Sequence, residues 1–157
     1  MSESTVRAFQ QQDDAFRWSG VELRAYKEEG AAPFRDVTRQ TLFARADMHG
    51  ELRYFEVAAA GHSTLERHVH AHAVMILRGR GEVLVGEQVH PVKALDLVSV
   101  PPLTWHQFRA AADAPLGFLC MVDAQRDRPQ PPDADEIARL RAIPAVAAFL
   151  AGSYTPR

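Results

Sequence analysis

Glu66-Arg67-His68-Val69-His70-Ala71-His72-Ala73-Val74-Met75-Ile76-Leu77 runs from a charged, histidine-rich stretch straight into an apolar one. Strand geometry sends alternate side chains to one face, so Glu66, His68, His70 and His72 share a parity. Three imidazoles and a carboxylate on one face make a poor core, because each would need a buried partner. The plain alternative is an edge strand with its polar residues outward, and the apolar run that follows argues against it. Neutral imidazole and carboxylate are the usual ligands of Fe, Zn, Ni and Mn. Residues two apart in a straight strand lie roughly 6.5 Å apart, and four apart roughly 13 Å. Neighbours such as His68 and His70 can share an ion. His68 and His72 can do so only across a bend, so the site contains a bend or one histidine is a bystander.

Outward from this segment the chain keeps the same texture. Leu52–Ala58, Ala73–Leu77, Glu82–Val85, Asp96–Val100 and Leu116–Val122 are short apolar runs, recurring at the spacing of a sandwich or barrel. Arg78-Gly79-Arg80-Gly81 lies between two of them and predicts a tight hairpin. Pro101-Pro102 ends the Asp96–Val100 strand, since proline donates nothing to a ladder. Residues 1–16 are polar and read as a flexible N-terminal arm, with the barrel over 17–126. Residues 127–157 form a Pro-rich linker, Arg128-Pro129-Gln130-Pro131-Pro132, and a helical tail. Ile137, Leu140, Ile143, Val146, Phe149 and Leu150 fall at helical spacing, with Asp133 or Asp135 as the cap and Pro144 splitting the tail in two.

Bulk composition narrows the function classes. The chain has 157 residues, 46% hydrophobic and 24% charged, which fits one globular domain with a core of its own. A formal net charge of -2 gives no reason to expect nucleic acid or an anionic membrane as partner. Cys120 is the single cysteine, so an internal disulfide is excluded. No apolar run reaches the length of a membrane span and the first residues carry no signal-peptide core, so a cytoplasmic location is expected.

Val98-Ser99-Val100-Pro101-Pro102-Leu103-Thr104-Trp105-His106-Gln107-Phe108 resembles the second motif of the cupin superfamily. Pro101, Leu103, His106 and Ala110 fall in its register, although both glycines and the asparagine are replaced. The resemblance covers about Leu52 to Val122 and implies an all-β fold, a cupin-type jelly-roll β-barrel with a short C-terminal helical tail. The first motif can be laid down in two ways. With Gly79 as its terminal glycine, the ligand positions fall on Glu66, His68 and His72, with His106 from the second motif. With His68 and His70 as the paired histidines, the acid position falls on Val74 or Met75 and is lost. The first register keeps a carboxylate among the ligands and is preferred; His68 and His106 survive in both.

The expected cofactor is one divalent ion, Fe(II), Zn, Ni or Mn. Val74, Ile76 and Phe108 are expected to line the substrate pocket, with Gln107 pointing away from it. Glu66 or His70 is the expected proton carrier where it does not bind metal. Cys120, in an apolar strand, reads as a buried inert thiol. Arg53 reads either as a contact to an anionic substrate or as part of a solvated face. His49, His62 and His90 read as turn residues, with His62 a candidate for the pocket mouth. The leading function is a metal-dependent enzyme on a small organic molecule, with dioxygenase-like chemistry first and Lewis-acid isomerase, decarboxylase or lyase chemistry behind it. A non-catalytic metal- or ligand-binding module is the second reading. The resemblance also implies a homodimer, with Met75 and Leu77 on an unused apolar face.

Overall fold

A 14-residue strand, β6 (His72–Val85), is the spine of the computed structural model, which describes residues 6–27 and 33–153. Before it come β1 (Phe9–Gln12), β2 (Ala15–Trp18), β3 (Arg24–Ala25), β4 (Arg35–Phe43) and β5 (Gly50–His62). After it come β7 (Gln88–Lys93), β8 (Leu97–Val100), β9 (His106–Ala110) and β10 (Leu116–Asp123), then α1 (Ala134–Arg141) and α2 (Pro144–Ala151). The first part of β6 pairs β8 and β10, and its second part pairs β7 and β9. β5 pairs β10 along its length and meets β9 at His62 and Arg109. The circuit β5–β10–β6–β9–β5 therefore closes, and the fold is the all-β cupin-type barrel with two short C-terminal helices.

β6 serves two sets of partners because it bends at Gly79. Leu77 has no partner where Gly117 faces Arg78 and Phe118 faces Ile76, a bulge that lets the strand turn. Gly79 has φ +71°, and a Cβ there would meet the Pro115 carbonyl oxygen at 1.7 Å. The glycines of Arg78-Gly79-Arg80-Gly81 thus serve a bend and a close strand approach, not the expected hairpin. The tight turn lies further on, at Gly86-Glu87, where Val85 faces Gln88.

The interior holds Val37, Phe55, Val57, Val74, Ile76, Val83, Phe108, Leu116, Phe118 and Val122, the inward parity of their strands. A second core lies outside the barrel. Ile137, Leu140, Val146, Phe149 and Leu150 of the helices cover Leu65 and Leu84. Asp133 caps α1 reciprocally with Glu136, and Pro144 opens α2 as its first residue, so the tail breaks where proline requires it.

Residues 9–16 of the expected N-terminal arm lie in a strand pair that ends at Trp18. β1 and β2 form a hairpin whose Phe16 and Trp18 rings pack on Tyr54, at centroid distances of 6.1 and 5.0 Å. Three aromatic residues in a glutamine-rich segment, Phe9, Phe16 and Trp18, supply the apolar face that holds it. Residues 1–5 of that arm and 154–157 of the tail lie outside the described residues. Among the described residues no helix is long and apolar enough to cross a membrane.

Candidate metal centre

The histidine segment is not one straight strand. Only His72 belongs to β6; Glu66 and Arg67 form single bridges to His106 and Gln130, and the chain bends at Val69 and His70. Asp127 fastens the bend: its carboxylate accepts the amide N–H of Val69 at 2.9 Å and of His70 at 3.3 Å, and the His70 Nδ1–H at 2.7 Å. The backbone carbonyl of His68 accepts from Leu103 at 2.7 Å. This bend turns His68 back towards His72, the geometry that a flat strand forbids.

His68, His72 and His106 converge, their ligand atoms within 4.8 Å of one another. The Nδ1–H of His68 donates to the His70 carbonyl at 2.7 Å, and that of His106 to the Thr104 carbonyl at 2.9 Å. Each ring then keeps its lone pair on Nε2. The His72 Nε2 lies 2.5 Å from the His68 Nε2, and its Nδ1 lies 3.2 Å from the Cys120 sulfur. Burial, reinforced by the neighbouring imidazoles, lowers His68 to about 4 and His72 to about 2, and burial lowers His106 as well. All three are neutral near pH 7. Neutral, convergent imidazoles with their outer N–H groups pinned are the donor set that suits a borderline divalent ion.

Glu66 is not in this group. Its carboxylate is taken by the Lys27 ammonium and the Thr64 hydroxyl. Both contacts fall on Oε2, so Glu66, expected as a ligand, lines the cavity outside the convergent group with a lysine from far earlier in the chain competing for its carboxylate. His70 stacks on His68 at 3.6 Å with an interplanar angle of 4°. A second group with metal-like spacing is His68, His70 and Asp127. Asp127 already accepts three hydrogen bonds there, and the backbone N–H of Val69 leads in holding its carboxyl down at about 2, so it serves as a clamp.

The imidazoles open on a cavity of about 250 Å³. Phe55, Phe118 and Phe108 line it as a stack, with centroids 5.6 and 4.6 Å apart, and Val37 and Val74 add to the apolar wall. Val74 and Phe108 lie in the cavity wall. Ile76 does not: it is fully buried in the core, one alternation further from the histidines. Gln107 points away, donating to the Ser63 carbonyl at 2.8 Å and accepting from Ser153. His62 is buried beside Ser63 and does not line the cavity, His90 lies within β7, and His49 sits in a bend.

Several lining residues escape a reading of motifs. Tyr26, Lys27, Arg39, Arg126 and Asp127 come from segments remote from both histidine stretches. Arg53 is 8% exposed and lines the cavity, so it is not part of a solvated face. Cys120 also lines the cavity, with the Arg53 Nη2 at 3.7 Å on its other side. Burial pushes the thiol up, and Arg53 works against that shift.

Comparison with known proteins agrees with this geometry. Residues 53–122 match the cupin domain family. Over 153 residues, 97% of this chain and 98% of the relative, the chain is 62% identical to the 1-methylthio-D-xylulose 5-phosphate methylsulfurylase of Rhodospirillum rubrum. A crystal structure of a cupin-2 domain from Rhodospirillum rubrum superposes with a TM-score of 0.84 at 60% identity, covering 92% of this chain and 97% of that one. A cupin 2 conserved barrel domain protein from Rhodopseudomonas palustris gives 0.85 at 53% identity, covering 92% and 98%. The closed barrel, the histidine cluster at its wall and these relatives have one reading: the chain belongs to the cupin superfamily.

Proposed function

We propose that this chain is a metal-dependent enzyme that removes the methylthio group from a small phosphorylated ketose, the type of substrate named for its Rhodospirillum rubrum relative. One observation carries the reading: a thiol, Cys120, lies 3.2 Å from one of three convergent imidazoles inside one cavity. His68, His72 and His106 are the residues that would hold a divalent ion, Fe(II), Zn, Ni or Mn. That ion would supply Lewis acidity towards a carbonyl oxygen.

The rest of the chemistry falls to the chain's own side chains. A thioether sulfur is attacked by a soft nucleophile, and the thiol in the cavity is Cys120. Attack of its thiolate on the methylthio sulfur forms an S–S bond and breaks the C–S bond, leaving the electron pair on the ketose as its enolate. A proton returns to that carbon, and a second thiol, as reductant, releases the methylthio group from Cys120. The His72 Nδ1 lies beside the sulfur, and the Arg53 guanidinium works against the burial that holds the thiol protonated. Glu66 held by Lys27, and His70 held by Asp127, are the two proton carriers lining the cavity. The aromatic wall keeps water from the enolate.

This reading displaces the dioxygenase-like chemistry expected first from the ligand cluster, for which the relative's name gives no support. The homodimer is retained: Met75, Leu97 and Met121 are exposed on adjoining strands and offer a second copy an apolar face. A lone reduced cysteine also suits the cytoplasmic reading.

The test incubates the protein, reconstituted separately with each of the four metals, with 1-methylthio-D-xylulose 5-phosphate and a thiol. Loss of the S-methyl resonance and appearance of a deoxyketose phosphate are expected. One equivalent of metal should be lost in both His68→Ala and His106→Ala. No metal uptake, or an intact substrate with every metal, would overturn the proposal.

A further inference from the structure

Two guanidinium groups face the same cavity from neighbouring strands. Arg39 of β4 lies opposite Phe55 of β5, and Arg53 stands two residues from Phe55 on the same face, so the two arginines form a diagonal pair. The Nε of each is buried and has no hydrogen-bond partner. Among the described residues Arg53 reaches the Cys120 sulfur at 3.7 Å, the Phe55 ring at 5.0 Å and, at 3.9 Å, a Glu51 oxygen. Arg39 makes no side-chain hydrogen bond or ion pair among the described residues. Glu51 lies behind the wall, and its other oxygen is taken by Arg126 at 3.0 Å.

Arg53 and Arg126 thus share one carboxylate, and Arg39 pairs with none among the described residues. Leaving charged N–H groups buried, unbonded and beside a like charge is unfavourable, and an anion seated between them relieves both penalties. Burial first, and the Arg53 charge second, push the Arg39 guanidinium down. Planar five-donor forks suit a multiply charged, three-oxygen anion better than a single ammonium does.

We propose that Arg39 and Arg53, with Arg126 at the rim, form the subsite that grips the phosphate of a phosphorylated ketose. The placement fits the chemistry beside it. From His72 the wall passes through Cys120 to Arg53, with steps of 3.2 and 3.7 Å, and then diagonally across one more strand, roughly 7–8 Å, to Arg39. A short sugar with its carbonyl at the imidazoles and its phosphate at the arginines spans that interval, with its first carbons passing the thiol. The assignment rests on the cavity being the sugar-phosphate site proposed above, and it names the residues that make phosphate, not size, the feature selected.

The test uses inorganic phosphate and the whole protein after metal removal, so that anion and metal do not report on each other. Phosphorus NMR line broadening or calorimetry should detect binding by the wild type. Arg39→Gln and Arg53→Gln should each weaken it at least tenfold. Arg80→Gln, which removes an equal charge paired with Asp113 on the surface, should leave it unchanged. Among the described residues Arg39 has no hydrogen-bond or ion-pair partner to lose, so Arg39→Gln should keep the fold and decides the matter even where Arg53→Gln misfolds. Absence of phosphate binding by the wild type, wild-type affinity in Arg39→Gln, or equal loss in Arg80→Gln would overturn the subsite. Phosphate binding that depends on Arg39, with no cleavage of the methylthio sugar, would leave the subsite standing and sink the activity. Cleavage with an unaltered KM in Arg39→Gln would do the reverse.

Discussion

Asp127 accepts the Nδ1–H of His70 at 2.7 Å while it also holds the backbone amide of Val69 at 2.9 Å, so one linker carboxylate fixes the bend that brings the histidines together. The linker is stitched on again one turn away, where Gln130 and Arg67 exchange backbone hydrogen bonds at 2.8 and 3.1 Å. The bend is the condition for the site, because His68 and His72 meet only across it. Asp127→Asn keeps the shape of the side chain but weakens the acceptor. It should lower affinity for a divalent ion by about tenfold, the lower end for outer-shell partners, since His70 itself is outside the convergent triad. Competition with a chelator of known affinity measures this, and thermal melting should show the barrel little changed. Undiminished metal affinity would show that Gln130 and Leu103 hold the bend unaided.

Cys120 sits where the proposed chemistry needs its nucleophile, and its substitution separates binding from reaction. Serine nearly preserves volume, and its hydroxyl can reach the His72 Nδ1 that the sulfur now faces. Cys120→Ser should retain its metal and the phosphate site yet lose methylthio transfer by about a thousandfold or more. Wild-type protein given substrate without a second thiol should gain the mass of one methylthio group less a hydrogen at Cys120, and the variant should not. Full activity in Cys120→Ser would assign the nucleophile elsewhere.

The barrel was legible in the sequence because period-two apolar runs and a proline stop report strand burial directly. His68 and His72 were legible because clustered imidazoles are costly without a role, and His106 because it falls in the register of the second motif. Glu66 shows where pattern fails: its partner, Lys27, is 39 residues away, and no spacing rule links them. Asp127, Arg39 and Arg53 were obscure for the same reason, since a charged residue on a strand reads as solvated until the closed barrel turns its face inward. The Gly79 segment misled in a different way. Glycine marks positive φ and close approach alike, and a turn is only one of the structures that require them.

That distinction yields a paired prediction. Gly79 and Gly20 have nearly equal angles, φ +71° and +70°, but a Cβ at Gly20 meets nothing within 4 Å. Gly20→Ala should cost only the backbone strain, about 1–2 kcal/mol. At Gly79 the Cβ would collide with the Pro115 carbonyl, which is backbone and fixed by the pairing of Gly79 with Leu116. Gly79→Ala should cost about 4 kcal/mol or more, read as a fall in the urea midpoint or as failure to fold. Similar losses for the two would mean that β10 shifts to admit the methyl group.

Asp133 offers a stability change remote from the chemistry. Its side chain accepts the Glu136 amide at 2.8 Å and the Glu136 carboxylate accepts the Asp133 amide at 3.0 Å, satisfying two donors at the start of α1. Glu136 also pairs with Arg67 at 2.8 Å, and the Arg67 guanidinium lies 4.4 Å from the Trp105 ring, so the cap is mechanically continuous with the residue beside His68. Asp133→Ala should cost about 1 kcal/mol. For a domain of this size that lowers Tm by roughly 2–4 °C. Metal content and phosphate affinity should be untouched, because Ile137 and Leu140 keep α1 seated on Leu65 and Leu84. A drop in metal content at that modest cost in Tm would instead mean that the helix sets the position of the histidine loop through Arg67.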